Sequence, residues 1–161
     1  MNETALALAA YNPETAAILD TLRTFAESRP GIDPANYGSW RDYRRESAEV
    51  TRDLHHARVL ISAASWIDPA YLQALLTDSR RLSLRPDGGL SYCAGQYYPT
   101  EYRKAVCRAV ASALWSAMAD AYAAERHAAG VPLGQRYEGF RDRAMPRLRR
   151  QFGRTITERY F

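Results

Sequence analysis

Apolar residues recur at the three-and-four spacing of a buried helix face along most of this chain, and they alternate in one short stretch only. In "YNPETAAILDTLRTFAESRPG", Asn12 is placed to cap a helix that starts on Pro13, and Ile18, Leu22 and Phe25 fall on one face. "RPG" ends that helix and "IDPANYG" follows as a loop. The next run, "SWRDYRRESAEVTRDLHHARVLISAASW", carries the longest clear pattern. Ser39 is its cap, with Asp42 at the capping-box position. Tyr43, Ser47, Val50, Leu54, Ala57 and Ile61 repeat at steps of four and three and are expected to form its buried stripe. Asp68 and Pro69 then open a short helix with Leu72, Leu75 and Leu76.

The period changes in "RLSLRPDGGLSYC". Leu82 and Leu84 alternate, Leu90 and Tyr92 alternate, and Pro, Asp and Gly between them supply turn chemistry. This predicts a β-hairpin at about 81–93, turned at Pro86 to Gly89 and laid on helices, since an isolated hairpin is marginal. A second long helix follows from Thr100, as cap, to Gly130, as stop, with Val106, Val110, Ala113, Leu114, Ala117, Met118 and Ala121 on its inner face. "VPLGQRYEGFRDRA" reads as a loop, and a last helix over about 145–159 turns Met145, Leu148, Phe152 and Ile156 inward. The expected fold is mainly α: a single domain, 1–161, of about five helices (two long) with one β-hairpin. There are no repeats and no interdomain linker.

Length supports that reading. A chain of 161 residues buries roughly two thirds of its unfolded surface and needs no staples. No apolar run is long enough to span a membrane. The opening "MNETALALAAYNPET" begins acidic and is too short in its apolar part for a secretory signal, so a cytoplasmic protein is expected. Cys93 and Cys107 make neither a disulfide framework nor a zinc spacing and read as two buried thiols.

Charge changes the picture more than length does. The net charge of +4 is uneven: residues 1–40 carry −3, residues 41–100 carry +1 and residues 101–161 carry +6. Local positive charge bears on anionic partners rather than on fold. Of the 22 basic residues, only Lys104 is lysine. Arginine offers a planar fork suited to phosphate and carboxylate, although a GC-rich genome produces the same excess.

Two surfaces are candidates for contact. Arg143, Arg147, Arg150 and Arg154 fall within about 60° of one another on a helical wheel, away from the apolar stripe. That pattern suits phosphates or an acidic protein surface, or else a solvated face. Tyr92, Tyr97, Tyr98 and Tyr102, with Arg103 and Lys104, have the chemistry to stack bases and pair phosphates. The competing reading is a corner where Tyr97, Tyr98 and Pro99 wedge the hairpin onto the helix and Gly95 supplies the backbone freedom. Partner or nucleic-acid contact is assigned to Tyr97, Tyr98, Arg103, Lys104, Arg143, Arg147, Arg150 and Arg154.

Catalytic patterns are thin. Glu49, Asp53 and His56 share a helix face and form a possible metal trio, but salt bridges with Arg52 and nearby arginines account for them, so no metal or other cofactor is expected. "HHAR", with His55 and Arg58, has the His-x-x-Arg spacing of tyrosine recombinases, and Tyr160 lies near the end of the chain, yet the other elements of such a site are missing. There is no P-loop, nucleophile elbow, dinucleotide fingerprint or His-Glu-x-x-His motif.

Three stretches, "RPGIDPANYGSWRDYRRESAEVTRDLHHARVL", "RLSLRPDGGLSYCAGQYYPTEYRKAVC" and "RRQFGRTITERYF", together resemble a family of small accessory proteins encoded on proteobacterial mobile elements: phages, plasmids and integrative elements. The resemblance runs from about residue 29 and weakens between 120 and 145. It brings no catalytic residues. It implies a mobile-element context, in which such genes often encode DNA-handling proteins or inhibitors of host defence, anti-CRISPR proteins among them. The resulting expectation is a non-enzymatic binding protein whose partner is a host nucleic-acid-binding defence complex. The alternatives are a DNA-binding accessory protein, or a strand-transfer or metal-dependent enzyme built around His55, Arg58 and the Glu49/Asp53 face.

Overall fold

The computed structural model describes residues 12–28, 32–79, 82–92 and 99–161. Among these, the chain is mainly helical, with one two-stranded antiparallel hairpin. The order is α1 (Pro13–Ser28), α2 (Trp40–Ala63), α3 (Pro69–Thr77), β1 (Leu82–Leu84), β2 (Leu90–Tyr92), α4 (Pro99–Ala128) and α5 (Phe140–Tyr160). Short 3-10 turns lie at Pro34–Asn36 and Leu133–Gln135. No helix among the described residues is long and apolar enough to cross a membrane. The chain divides into two compact units, one ending at Val110 and the other running from Ala111 to Phe161.

In the first unit the helix starts follow local chemistry. Asn12 Oδ1 accepts from the Glu14 amide at 2.9 Å, Ser39 Oγ from Asp42 at 3.1 Å, and Asp68 Oδ1 from Tyr71 at 3.1 Å. Each satisfies an amide that the first helical turn leaves without a partner. α4 starts at Pro99, one residue before the expected cap at Thr100, because the fixed φ of proline suits a first helical position.

The core of this unit draws Leu19, Leu22, Phe25, Leu60, Ile61, Ile67, Leu72, Leu76, Leu82, Leu84, Val106 and Val110 out of water. Each such leucine is worth roughly 1.5–3 kcal/mol relative to exposure. α1 packs on α2, on α3 and on β2, and α3 on β1, so the hairpin does lie on helices. The buried Thr15 hydroxyl donates to the Ile67 carbonyl at 2.7 Å and ties α1 to the α2–α3 corner. In the hairpin Leu82 opposes Tyr92 and Leu84 opposes Leu90. The Arg85 amide donates to the Gly89 carbonyl at 2.7 Å across the Pro86–Gly89 turn.

Two buried faces differ from the expected ones. On α1, Thr15, Leu19, Leu22, Phe25 and Ala26 are buried and Ile18 only partly. On α2 the buried set is Asp53, His56, Ala57, Leu60 and Ile61. Tyr43, Ser47, Val50 and Leu54 are partly exposed, and no residue from Trp40 to Arg52 is buried. The four-and-three spacing of Tyr43 to Ile61 is helical in period. Burial keeps Ala57 and Ile61 from that stripe, adds Asp53, His56 and Leu60 beside them, and covers only the second half of the helix.

The second unit contains the later part of α4, its exit and α5. α4 ends with the Gly130 amide donating to the His127 carbonyl and the Val131 amide to the Arg126 carbonyl, both at 3.0 Å. This is the paired-bond helix stop that glycine favours. The segment expected as a loop up to residue 144 becomes helical at Phe140. The reason is aromatic packing: the buried Phe140 ring meets Trp115 at 4.8 Å and Tyr122 at 5.6 Å between centroids. Tyr122 also donates to the Glu138 carbonyl at 2.6 Å, and Tyr137 to Asp120 Oδ1 at 2.9 Å. Ala144, Leu148 and Ile156 are buried on α5, while Met145 and Phe152 are partly buried. Gly153 breaks the helix, with φ 81° and ψ 168°.

Candidate nucleic-acid interface

The residues assigned to contact fall into three groups. Tyr97 and Tyr98 lie outside the described residues, as do Cys93 and Gly95. Arg103 and Lys104 face inward within the first unit. Arg143, Arg147, Arg150 and Arg154 are on α5, in the second.

Arg103 is 4% exposed, so it is an interior charge and no phosphate can reach it directly. Burial lowers its guanidinium from the ordinary range, and the Asp53 carboxylate, itself fully buried, opposes that shift. Lys104 Nζ donates to Glu49 Oε1. The cations of the tyrosine corner therefore serve the α2–α4 contact. The same carboxylates were the possible metal trio. Among the described residues, no group of three His, Cys, Asp or Glu side chains is arranged to hold a metal ion. Arg52 lies 3.6 Å from Glu49 and 3.8 Å from Asp53, and the buried Cys107 thiol donates to the Asp53 carbonyl at 3.4 Å. Arg58, the arginine of the recombinase-like spacing, donates to Glu27 Oε1 at 2.9 Å.

α5 is the opposite case. Arg143 and Arg150 are exposed and Arg147 partly so, and at 100° per residue the three share one face of the unbroken part of the helix. Arg149 is exposed on another face. Among the described residues no carboxylate pairs with Arg143, Arg147, Arg149 or Arg150. The expected row of four becomes three and one, because Arg154 lies beyond Gly153, whose dihedral angles reset the helical phase. Arg154 is 83% exposed and donates to Glu158 at 2.7 Å, which raises its guanidinium further.

A second cluster was not legible as a site in the sequence, where Tyr43 and Ser47 counted as core. At the start of α2 the Trp40 and Tyr43 rings lie 5.1 Å apart at 33°, and Tyr37 meets Tyr43 edge-on at 5.9 Å. The Arg44 guanidinium sits 5.6 Å from the centre of the Trp40 ring. Trp40 is 62% exposed. The missed signal was three aromatics and two arginines within the eight residues "YGSWRDYR".

Comparison of the chain with protein-family models, curated proteins and solved structures gives no significant match.

Proposed function

We propose that the chain is a non-enzymatic binding protein of a mobile element, one that obstructs a host nucleic-acid-binding defence complex in the manner of an anti-CRISPR protein. One observation carries the reading: Arg143, Arg147 and Arg150 are presented together on α5 with no carboxylate partner among the described residues. Like charges gathered on one helix face repel and cost stability. An anionic partner, such as a nucleic-acid backbone or the acidic rim of a protein surface, relieves that cost. A rigid element presents the row, since Leu148 on the same helix is buried and Phe140 is locked between Trp115 and Tyr122. Several groups of the enzyme alternative offer little access to a substrate. Asp53 and His56 are buried, and the Cys107 thiol is spent on a backbone carbonyl.

The second reading, direct binding to DNA, rests on the same arginines, which suit phosphate as well as carboxylate. Pull-down of the tagged protein from host lysate, with and without nuclease, separates the two. A partner complex that survives nuclease supports the inhibitor. Recovery lost on nuclease treatment, together with binding to naked duplex, supports the DNA binder.

A further inference from the structure

We infer that the exposed first half of α2 is a binding site for unpaired nucleotides, with Trp40 and Tyr43 as the stacking platform and Arg44, Arg52 and His55 along the backbone path. This goes beyond the reading of α5, uses none of its residues, and stands or falls separately.

Helix α2 leaves its first half in water. Thirteen consecutive positions, Trp40 to Arg52, include no buried side chain, although the segment holds two large aromatic rings. A scattered exposed aromatic needs no explanation. Here the rings are clustered and pre-ordered. Trp40 and Tyr43 lie against each other, Tyr37 braces Tyr43 from the edge, and Arg44 approaches the Trp40 ring. Below them runs an open groove of about 510 Å³, lined by Tyr43, Arg44, Ser47, Ala48, Arg52 and His55 among others.

The lining decides the class of ligand. It contains two guanidinium groups, an imidazole and hydroxyls, and no carboxylate. Arg52 lies 3.6 Å from Glu49 and 3.8 Å from Asp53, both outside the lining, so its charge is partly offset there, and Arg44 is the lining arginine with no carboxylate partner among the described residues. Ala48 keeps the floor low. A groove whose lining holds guanidinium groups and no carboxylate, beside the exposed Trp40 ring, suits an anionic ligand that also offers flat faces. Single-stranded nucleic acid is such a polymer, because its unstacked bases meet aromatic rings while its phosphates follow the cations. A duplex hides those faces. From Trp40 to His55 the helix rises about 22 Å, enough for a site at the small end of the single-strand range, about four nucleotides.

The experiment uses fluorescence anisotropy of a labelled twenty-nucleotide oligo-dT, and of the same length as duplex, with the full chain at low salt. Trp40→Ala and Arg44→Gln should each weaken oligo-dT binding, the former at least tenfold, and Trp40→Phe should restore most of it. Duplex binding should change less than threefold in all three. Replacing Arg143, Arg147 and Arg150 should leave the Trp40→Ala effect on oligo-dT in place, which keeps this site distinct from α5. Three outcomes overturn the inference: no measurable oligo-dT binding by the wild type, unchanged binding in a folded Trp40→Ala variant, or a wild-type dimer that Trp40→Ala converts to monomer. The last would show that a second copy covers this face. If Trp40→Ala does not fold, Arg44→Gln decides alone.

Discussion

An arginine with 4% of its surface in water is penalised by burial of its charge and recovers part of that cost from a carboxylate nearby. For Arg103 that carboxylate is Asp53, which has no exposure at all. Removing the cation leaves the buried carboxylate with the half-exposed Arg52, at 3.8 Å, as its remaining neighbouring cation, and under-compensating a buried charge costs up to the roughly 3–5 kcal/mol of a buried pair broken from one side. Arg103→Met should therefore lower the urea midpoint sharply. Lys104→Met should cost about 1 kcal/mol or less, since Lys104 and Glu49 both keep some contact with solvent. Equal, small effects on the urea midpoint would place Arg103 outside the core. The sequence did not separate these two residues from the arginines of α5. A basic residue beside tyrosines reads the same whether it points in or out, and only the meeting of α4 with the Asp53 row of α2 decides which. That row was itself illegible, because a carboxylate and an imidazole were assigned to the polar face by type.

Caps, turns and stops were the most legible features of each element. Asn12, Ser39, Asp68, the Pro86–Gly89 turn and Gly130 act within a few residues of themselves. The start of α5 was not legible, because it depends on Phe140 meeting rings far back on α4. The break at Gly153 was missed for a different reason: a lone glycine in a helical pattern is ordinarily tolerated. Its φ of 81° with ψ of 168° lies in a region that is almost exclusively glycine's, where a side chain costs of order 1–3 kcal/mol. A Cβ there would meet nothing within 4 Å, so the cost comes from the backbone alone. Gly153→Ala should lower the melting temperature by several degrees. An unchanged melting temperature, with a gain in helical circular dichroism, would mean that α5 can run straight and bring Arg154 into line with Arg150.

Across the whole molecule, the boundary at residue 110 sorts the charge more sharply than division into thirds. Residues 1–110 carry thirteen basic and thirteen acidic residues, while residues 111–161 carry nine basic and five acidic. The entire net charge of +4 thus belongs to the second unit. Within that unit α5 alone holds seven arginines against Asp142 and Glu158. Arg143→Gln, Arg147→Gln and Arg150→Gln together would leave the second unit a net charge of +1, with helix propensity nearly unchanged. None of the three is buried, so each change should move stability by about 0.5 kcal/mol or less. If the partner is DNA, affinity should fall at least tenfold, about 1.4 kcal/mol. The slope of log affinity against log salt should also shrink by about 0.9 for each phosphate contact removed. If the partner is a protein complex, affinity should fall comparably while the salt dependence stays modest, because fewer condensed counterions are released. Arg149→Gln, on another face of the same helix, serves as the control for charge in general. A triple variant that remains folded and binds both duplex DNA and any recovered complex as the wild type does would reduce the arginine face to a solvated one. An equal loss from Arg149→Gln alone would show that net charge, rather than the Arg143–Arg147–Arg150 row, governs the interaction.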